Sequence, residues 1–245
     1  MRVLALDTTG RAGSVALVVD GVVVDERAGD PARTHGERLP GELMAVLDAH
    51  DVPLSAIDLF AVAAGPGSFT GLRIGIATVQ GLALVCRRPA IGVSVLEALA
   101  QLASRDAHGG ASIGAWVDAQ RGDVFSARYV VSDAALSSSA RLVERDAPRV
   151  ASPSATLTAW SHAAGLPSVF VGDGAVKYRS VIAAADPVAR IAEAPMVAGA
   201  IGLMAAALGS AQAAHPAAIQ PLYIRRPDAE VGRETKAERS AVPGS

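Results

Sequence analysis

Along the opening stretch of the chain, apolar positions come in short runs divided by turn residues rather than at helical spacing. Residues 3–7 form one such run, ending at Asp7 and followed by Thr8, Thr9 and Gly10. Runs at 14–19 and 22–27 come next, joined by Asp20-Gly21. An Asp-Gly pair between β-branched runs is a two-residue hairpin signal, so the chain is predicted to open as a three-stranded meander. The period then changes. Leu39, Leu43 and Leu47, with Met44 and Val46, recur on one face of a helix predicted over residues 37–50. Residues 59–64 are a compact apolar run closing on Gly65-Pro66-Gly67, which predicts a buried strand entering a tight loop. From 71 to 85 the pattern is apolar nearly all round, with Gly71, Gly75 and Gly81 as small positions. Such a helix is covered on most sides or packs closely on a neighbour. Ser94-Val95-Leu96-Glu97 is a capping box that opens a further helix.

Strand patterning then restarts. Runs at 113–118 and 124–131 flank the hairpin-like connection Ala119-Gln120-Arg121-Gly122-Asp123. A Ser/Pro/Ala-rich passage leads to a helix predicted over 154–164 and a short strand at 169–171 that ends at Gly172-Asp173-Gly174. Helices are predicted over 175–185 and 196–213, and a last strand at 222–224. Residues 227–245 are charged and unpatterned and are predicted to be a disordered tail. The two strand openings resemble each other: Ala5-Leu6-Asp7-Thr8-Thr9 precedes a run at 14–19, and Trp116-Val117-Asp118-Ala119-Gln120 precedes one at 126–131. An internal duplication follows, with similar α/β subdomains at 1–108 and 109–226.

Each half thus places an Asp where a first strand meets a turn. An Asp there positions a metal-bound water, while hydroxyls and N–H groups in the turn cradle phosphate. Asp7, Thr8 and Thr9, Asp118, and the glycines Gly172 and Gly174, which leave room for a flat ligand, outline an actin-like nucleotide cleft. Taken singly, each is ordinary turn chemistry. The cleft is poorly equipped: the turn after Asp7 has Gly10 and Arg11 but no lysine, and none completes a phosphate-binding loop at 65–71.

Composition narrows the classes. The chain has 245 residues, 51% hydrophobic and 4% aromatic, which suits helices packed on sheets. Its formal charge of −2 argues against gripping RNA alone, because phosphate neutralisation needs a basic face. Cys86 is the only cysteine, so no internal disulfide forms, and it reads as a buried small hydrophobe. The first apolar run is too short for a signal peptide, and a cytoplasmic location is expected. Residues 194–214 have the length of a membrane span, but they are mainly Ala and Gly and read as a buried helix. His35, His50, His108, His162 and His215 share no His-x-x-x-His spacing, so no metal site is expected. A Gly-x-Ser-x-Gly nucleophile elbow is also missing.

The run Gly65-Pro66-Gly67-Ser68-Phe69-Thr70-Gly71-Leu72-Arg73-Ile74-Gly75 is similar to the signature of the TsaB (YeaZ) family. That family supplies accessory subunits for threonylcarbamoyladenosine synthesis on tRNA. The opening 4–9, Gln80-Gly81-Leu82-Ala83, Gly92-Val93-Ser94, residues 118–125 and Pro221-Leu222-Tyr223-Ile224-Arg225 match as well, so the resemblance covers the chain except its tail. It implies an α/β actin-like ATPase (ASKHA, ribonuclease H-like) fold in two halves around a vestigial cleft. It also implies a non-catalytic activating subunit that pairs with TsaD, the catalytic subunit, and with the ATPase TsaE. Threonylcarbamoyl transfer to the adenosine beside the anticodon would take place in the partner. ATP would be used by the partners, with at most weak nucleotide binding here. The free chain would form a homodimer and would meet tRNA only through the complex, away from membranes. The interface implied lies on helices 37–50 and 71–85, with Leu39, Leu43, Leu47, Arg73, Ile74 and Ala77 central. Where TsaD carries paired histidines, this chain has His35 and then Leu39, in keeping with the absence of a metal. The alternative reading is an independent ATPase or kinase using Asp7 and Asp118; a metallopeptidase is a third.

Overall fold

Strand β1 (Arg2–Asp7) is the axis of the first half. In the computed structural model, which describes residues 1–133, 141–193, 195–209, 212–213 and 215–224, β1 pairs antiparallel with β2 (Ser14–Val19). β2 in turn pairs antiparallel with β3 (Val22–Ala28). On its other side β1 runs parallel to β4 (Leu59–Gly65), and β4 to β5 (Ala90–Ser94). Helices α1 (His35–Asp48), α2 (Phe69–Cys86) and α3 (Val95–Ala103) complete this part of the chain. The second half repeats the plan. Strands β6 (Ser112–Asp118), β7 (Val124–Val131) and β8 (Leu142–Ala151) are antiparallel neighbours. β9 (Val169–Val171) and β10 (Arg190–Ile191) extend the sheet in parallel beyond β6. The sheet orders are β3-β2-β1-β4-β5 and β10-β9-β6-β7-β8, the same order written from opposite edges. The duplication suspected from two short runs is therefore present in the topology.

Three strands escape the sequence pattern. β8 is an edge strand of mostly half-exposed and exposed residues, including Pro148, so it carries no apolar run. Its place as the counterpart of β3 was still deducible from the duplication. β5 abuts the capping box, and β10 has two residues. The helix predicted over 175–185 is broken at Tyr178 (φ −104°) into α5 (Asp173–Lys177) and α6 (Arg179–Ala185). α7 (Ala198–Leu208) ends at Gly209, φ +70°, short of the predicted 213. The strand predicted at 222–224 does not form; this segment contributes one backbone bond to β4, from Leu222 N to the Ala64 carbonyl (2.7 Å). The predicted tail, 227–245, lies outside the described residues. α4 (Pro153–Ala164) agrees with its prediction to one residue.

Packing crosses the two halves. One face of the first sheet, with Leu4, Leu6, Leu17, Phe60 and Val62, is covered by α1 and α2. The opposite face, with Val3, Ala5, Val18, Ala61 and Ala63, is covered by α7 from the far end of the chain. α3 in turn lies on β6 and β7 of the second sheet and touches α7, so one apolar core runs through both halves. The second sheet's outer face packs Trp116, Trp160 and Phe170 with α4, α5 and α6.

The first turn of α7 is held from a distance. Its own N-cap, Val197, has no capping oxygen, and its free N–H groups are taken by the first sheet. Ala198 N donates to Ser14 Oγ (3.1 Å) and Gly199 N to Glu26 Oε1 (2.9 Å), which also places a carboxylate at the positive end of the helix. Glu26→Ala is expected to cost about 1–2 kcal/mol in a urea titration, and Glu26→Gln less, because the amide oxygen still accepts.

Candidate functional site

A cleft of about 1360 Å3 between the halves is lined on one side by Thr9, Gly10 and Arg11, in the turn after Asp7, and on the other by Asp118 and Asp173. On the first side, Asp7 ends β1 with its carboxyl buried. Asp7 Oδ1 accepts the Thr9 N–H (2.8 Å) and the Thr9 hydroxyl (2.5 Å). Burial pushes the Asp7 carboxyl above the ordinary carboxylate range, and the two Thr9 bonds oppose that rise. The Thr8 hydroxyl donates to the Gly71 carbonyl on α2 (2.7 Å).

The glycines of the 65–75 run follow from this contact. A Cβ on Gly71 would lie 2.0 Å from the Thr8 carbonyl oxygen, one on Gly75 2.2 Å from Thr8 Oγ1, and one on Gly67 2.4 Å from Thr9 Cβ. The start of α2 thus lies directly on the turn after β1, and only residues without a side chain permit the approach. Ser68 caps the helix, accepting the Gly71 N–H (3.2 Å).

On the second side, Asp118 ends β6 and is engaged three times. Its Oδ1 accepts Gln120 N (3.1 Å), and its Oδ2 accepts Gln120 Nε2 (2.9 Å) and Lys177 Nζ (2.7 Å). Asp173 joins this corner, its Oδ1 accepting Asp118 N (3.0 Å) and Gly174 N (2.8 Å). Desolvation against the end of β6 pushes the Asp173 carboxyl upward, with the charge of Asp118 adding to the rise. The space expected over Gly172 and Gly174 for a flat ligand is filled by the chain itself. A Cβ at Gly172 would fall 2.2 Å from the Trp116 carbonyl oxygen, and one at Gly174 2.9 Å from the Val117 carbonyl carbon. Those glycines serve close packing on β6.

His35 stands at the cleft edge with both ring nitrogens occupied. Arg38 donates to Nδ1 (2.8 Å), which leaves Nε2 to donate to the Gly10 carbonyl (3.0 Å). Neither ring nitrogen is free for a metal, and Leu39, on the next position of the helix face, is 2% exposed in the core.

Of the six residues expected at a partner interface, three face inward. Leu39, Leu43 and Leu47 are 2, 4 and 0% exposed and pack on the first sheet, so the regular leucine spacing marks the core face of α1. Ile74 is half-buried against the same core, while Arg73 and Ala77 are exposed. The outer faces of the two helices carry other residues: Pro40, Gly41 and Met44 on α1, and Gly81, Leu84 and Val85 beyond Ala77 on α2. Met44, Leu84 and Val85 are 43, 50 and 82% exposed.

The cleft mouth holds side chains that sequence reading left scattered. Arg11, Arg33, Arg73 and Arg121 all line it. Tyr223 reaches in from the chain end, stacks on Phe69 (centroids 5.3 Å apart) and accepts from Arg73 Nε at its hydroxyl (3.1 Å). The Arg73 guanidinium lies 3.9 Å from the centre of the Phe69 ring. The only sequence signal for this cluster was Phe69-x-x-x-Arg73 at helical spacing, with Tyr223 far away.

Known proteins fall in with this architecture. The family model described as "TsaD: tRNA N6-adenosine threonylcarbamoyltransferase" matches residues 29–232. The Escherichia coli tRNA threonylcarbamoyladenosine biosynthesis protein TsaB is 43% identical over 129 residues, 53% of this chain and 55% of that protein. The Bacillus subtilis protein of the same name is 32% identical over 129 residues, with the same coverage of 53% and 55%. The matched part of the chain thus spans about half the length of these curated relatives. Among solved structures, a Pseudomonas aeruginosa protein described as similar to peptidase YEAZ superposes with a TM-score of 0.73 at 29% identity, over 91% of this chain and 99% of that one. A second, YeaZ from the same organism, gives 0.73 at 28% identity. With the actin-like architecture of paired sheets and the tight β1–α2 contact beneath the glycine-rich run, these matches establish that the chain belongs to the TsaD-model family, among its TsaB (YeaZ) members.

Proposed function

We propose that the chain acts in tRNA threonylcarbamoyladenosine biosynthesis as a non-catalytic activating subunit that pairs with a TsaD-type catalytic subunit, alongside a TsaE-type ATPase, in the cytoplasm. One observation carries this reading: the outer face of α2. This 18-residue helix has a mean hydropathy of 1.5, yet only 33% of it is buried within the chain. Its exposed side is small or apolar at Ala77, Gly81 and Leu84, and α2 touches α1, which exposes Pro40, Gly41 and Met44 and covers the same face of the first sheet. Small residues let a second helix approach closely, and Leu84 and Met44 would supply the buried anchors. In the absence of the catalytic partner, the same face would pair two copies of the chain. The cleft contributes little to a reaction by this chain, because Asp7 is committed to Thr9 and Asp118 to Lys177 and Gln120.

Size-exclusion chromatography of the chain mixed with a TsaD-type subunit tests this. Co-elution is expected, and Met44→Glu with Leu84→Glu should weaken the pair by at least about a hundredfold while leaving the free chain folded. Leu43→Glu, by contrast, should unfold the chain, because it puts a charge in the core. Two folded proteins that fail to associate at micromolar concentration would sink the proposal.

A further inference from the structure

The chain's formal charge of −2 conceals a local segregation. Arg11, Arg33, Arg73 and Arg121, all exposed, line the cleft mouth, and among the described lining residues the carboxylates are Asp118 and Asp173. Asp118 is itself ion-paired with Lys177 (2.7 Å). The arginines come from four separate loops and helix ends, so no run in the sequence announces them. Two of the chain's few aromatic rings lie at the same place: Phe69 and Tyr223 are 39 and 41% exposed and stacked on each other. The cleft, at about 1360 Å3, exceeds the roughly 300–1,000 Å3 that a single small ligand fills.

We infer that the cleft mouth is a contact surface for single-stranded RNA, with its arginines on phosphates and the Phe69–Tyr223 pair as a platform for a base. Cations tracking a backbone beside exposed rings are the two elements of sequence-tolerant single-strand binding. An acidic protein segment would use the arginines but would leave the rings without a role. The inference rests on the tRNA-modification reading for its biological setting, but its test does not need the partner subunit.

The test is fluorescence anisotropy of a labelled oligouridine with the chain alone, over a range of salt concentrations. Weak binding is expected, falling steeply with salt. Arg33→Ala combined with Arg121→Asn should lower the magnitude of the log–log salt slope by about 1.4 and weaken binding roughly tenfold at low salt. Asn suits position 121 because that residue has φ +56°, which Asn tolerates. Tyr223→Ala should weaken binding by about tenfold with the salt slope unchanged, the mark of lost stacking rather than lost charge. The inference is overturned if the unsubstituted chain binds no oligouridine at low salt, or if the double variant has the same slope as the unsubstituted chain. It is equally overturned if oligoglutamate displaces the RNA as well as unlabelled oligouridine does. Co-elution of the same variants with the catalytic subunit is read separately: loss of RNA binding with pairing intact concerns this surface, and failed pairing by the unsubstituted chain concerns only the subunit reading.

Discussion

Gly71→Ala is expected to destabilise the free chain by about 3 kcal/mol, whereas Gly81→Ala, ten residues along the same helix, should stabilise it by up to about 1 kcal/mol. Both positions are helical and both gain one methyl group. At Gly71 that methyl meets the Thr8 backbone oxygen at 2.0 Å, where nothing flexible can yield, so α2 must lift from the end of β1. At Gly81 a Cβ meets nothing within 4 Å, and alanine simply restricts the unfolded chain. The loss at Gly71 is a large part of the roughly 5–15 kcal/mol that holds a domain together. Urea titrations followed by circular dichroism measure both. Equal effects at the two positions would mean that the motif's glycines are conformational rather than steric, and the account of the 65–75 run would fail.

The second large effect concerns autonomy. A fragment of residues 1–108, the first subdomain anticipated from the sequence, should not fold as a soluble monomer. It contains all five strands of the first sheet but lacks α7, which covers Val3, Ala5, Val18, Ala61 and Ala63. Burying a valine contributes about 1.5–3 kcal/mol, so uncovering this face removes an amount comparable with the whole net stability of a domain. It also frees the anchoring oxygens of Ser14 and Glu26. The fragment alone should aggregate or melt without a cooperative transition, and co-expression with residues 109–245 should restore a soluble complex. A monomeric, cooperatively unfolding fragment would refute this account of the shared core.

Strands β1, β2, β3, β6 and β7 were legible because each is a short run bounded by turn residues, and Asp20-Gly21 is a turn that few other conformations tolerate. β8 was not, because an edge strand with water on one side needs no apolar run. Asp7 and Asp118 were legible as strand ends, but only Asp118 lines the cleft, while Asp7 is buried beside it and bonded to the lining residue Thr9. Three of the six residues expected at an interface lie in the core for a physical reason. Leu39, Leu43 and Leu47 stand out because periodicity detects the side of α1 that faces the chain's own core. The face proposed for docking, with Pro40, Gly41, Met44, Ala77 and Gly81 exposed, has no such period and resembles ordinary surface.

Local pattern alone determined the order of most elements, the repeat and, through the glycine-rich run, the family, because those depend on residues close together along the chain. Tertiary structure decided which apolar face is spent on the core and that α7 closes the sheet formed at the other end of the chain. It also decided that Gly172 and Gly174 meet a strand rather than a ligand. The arginines at 11, 33, 73 and 121 share one cleft for the same reason. Each of these is a contact between residues far apart in sequence, fixed only when the sheets and helices exclude water together.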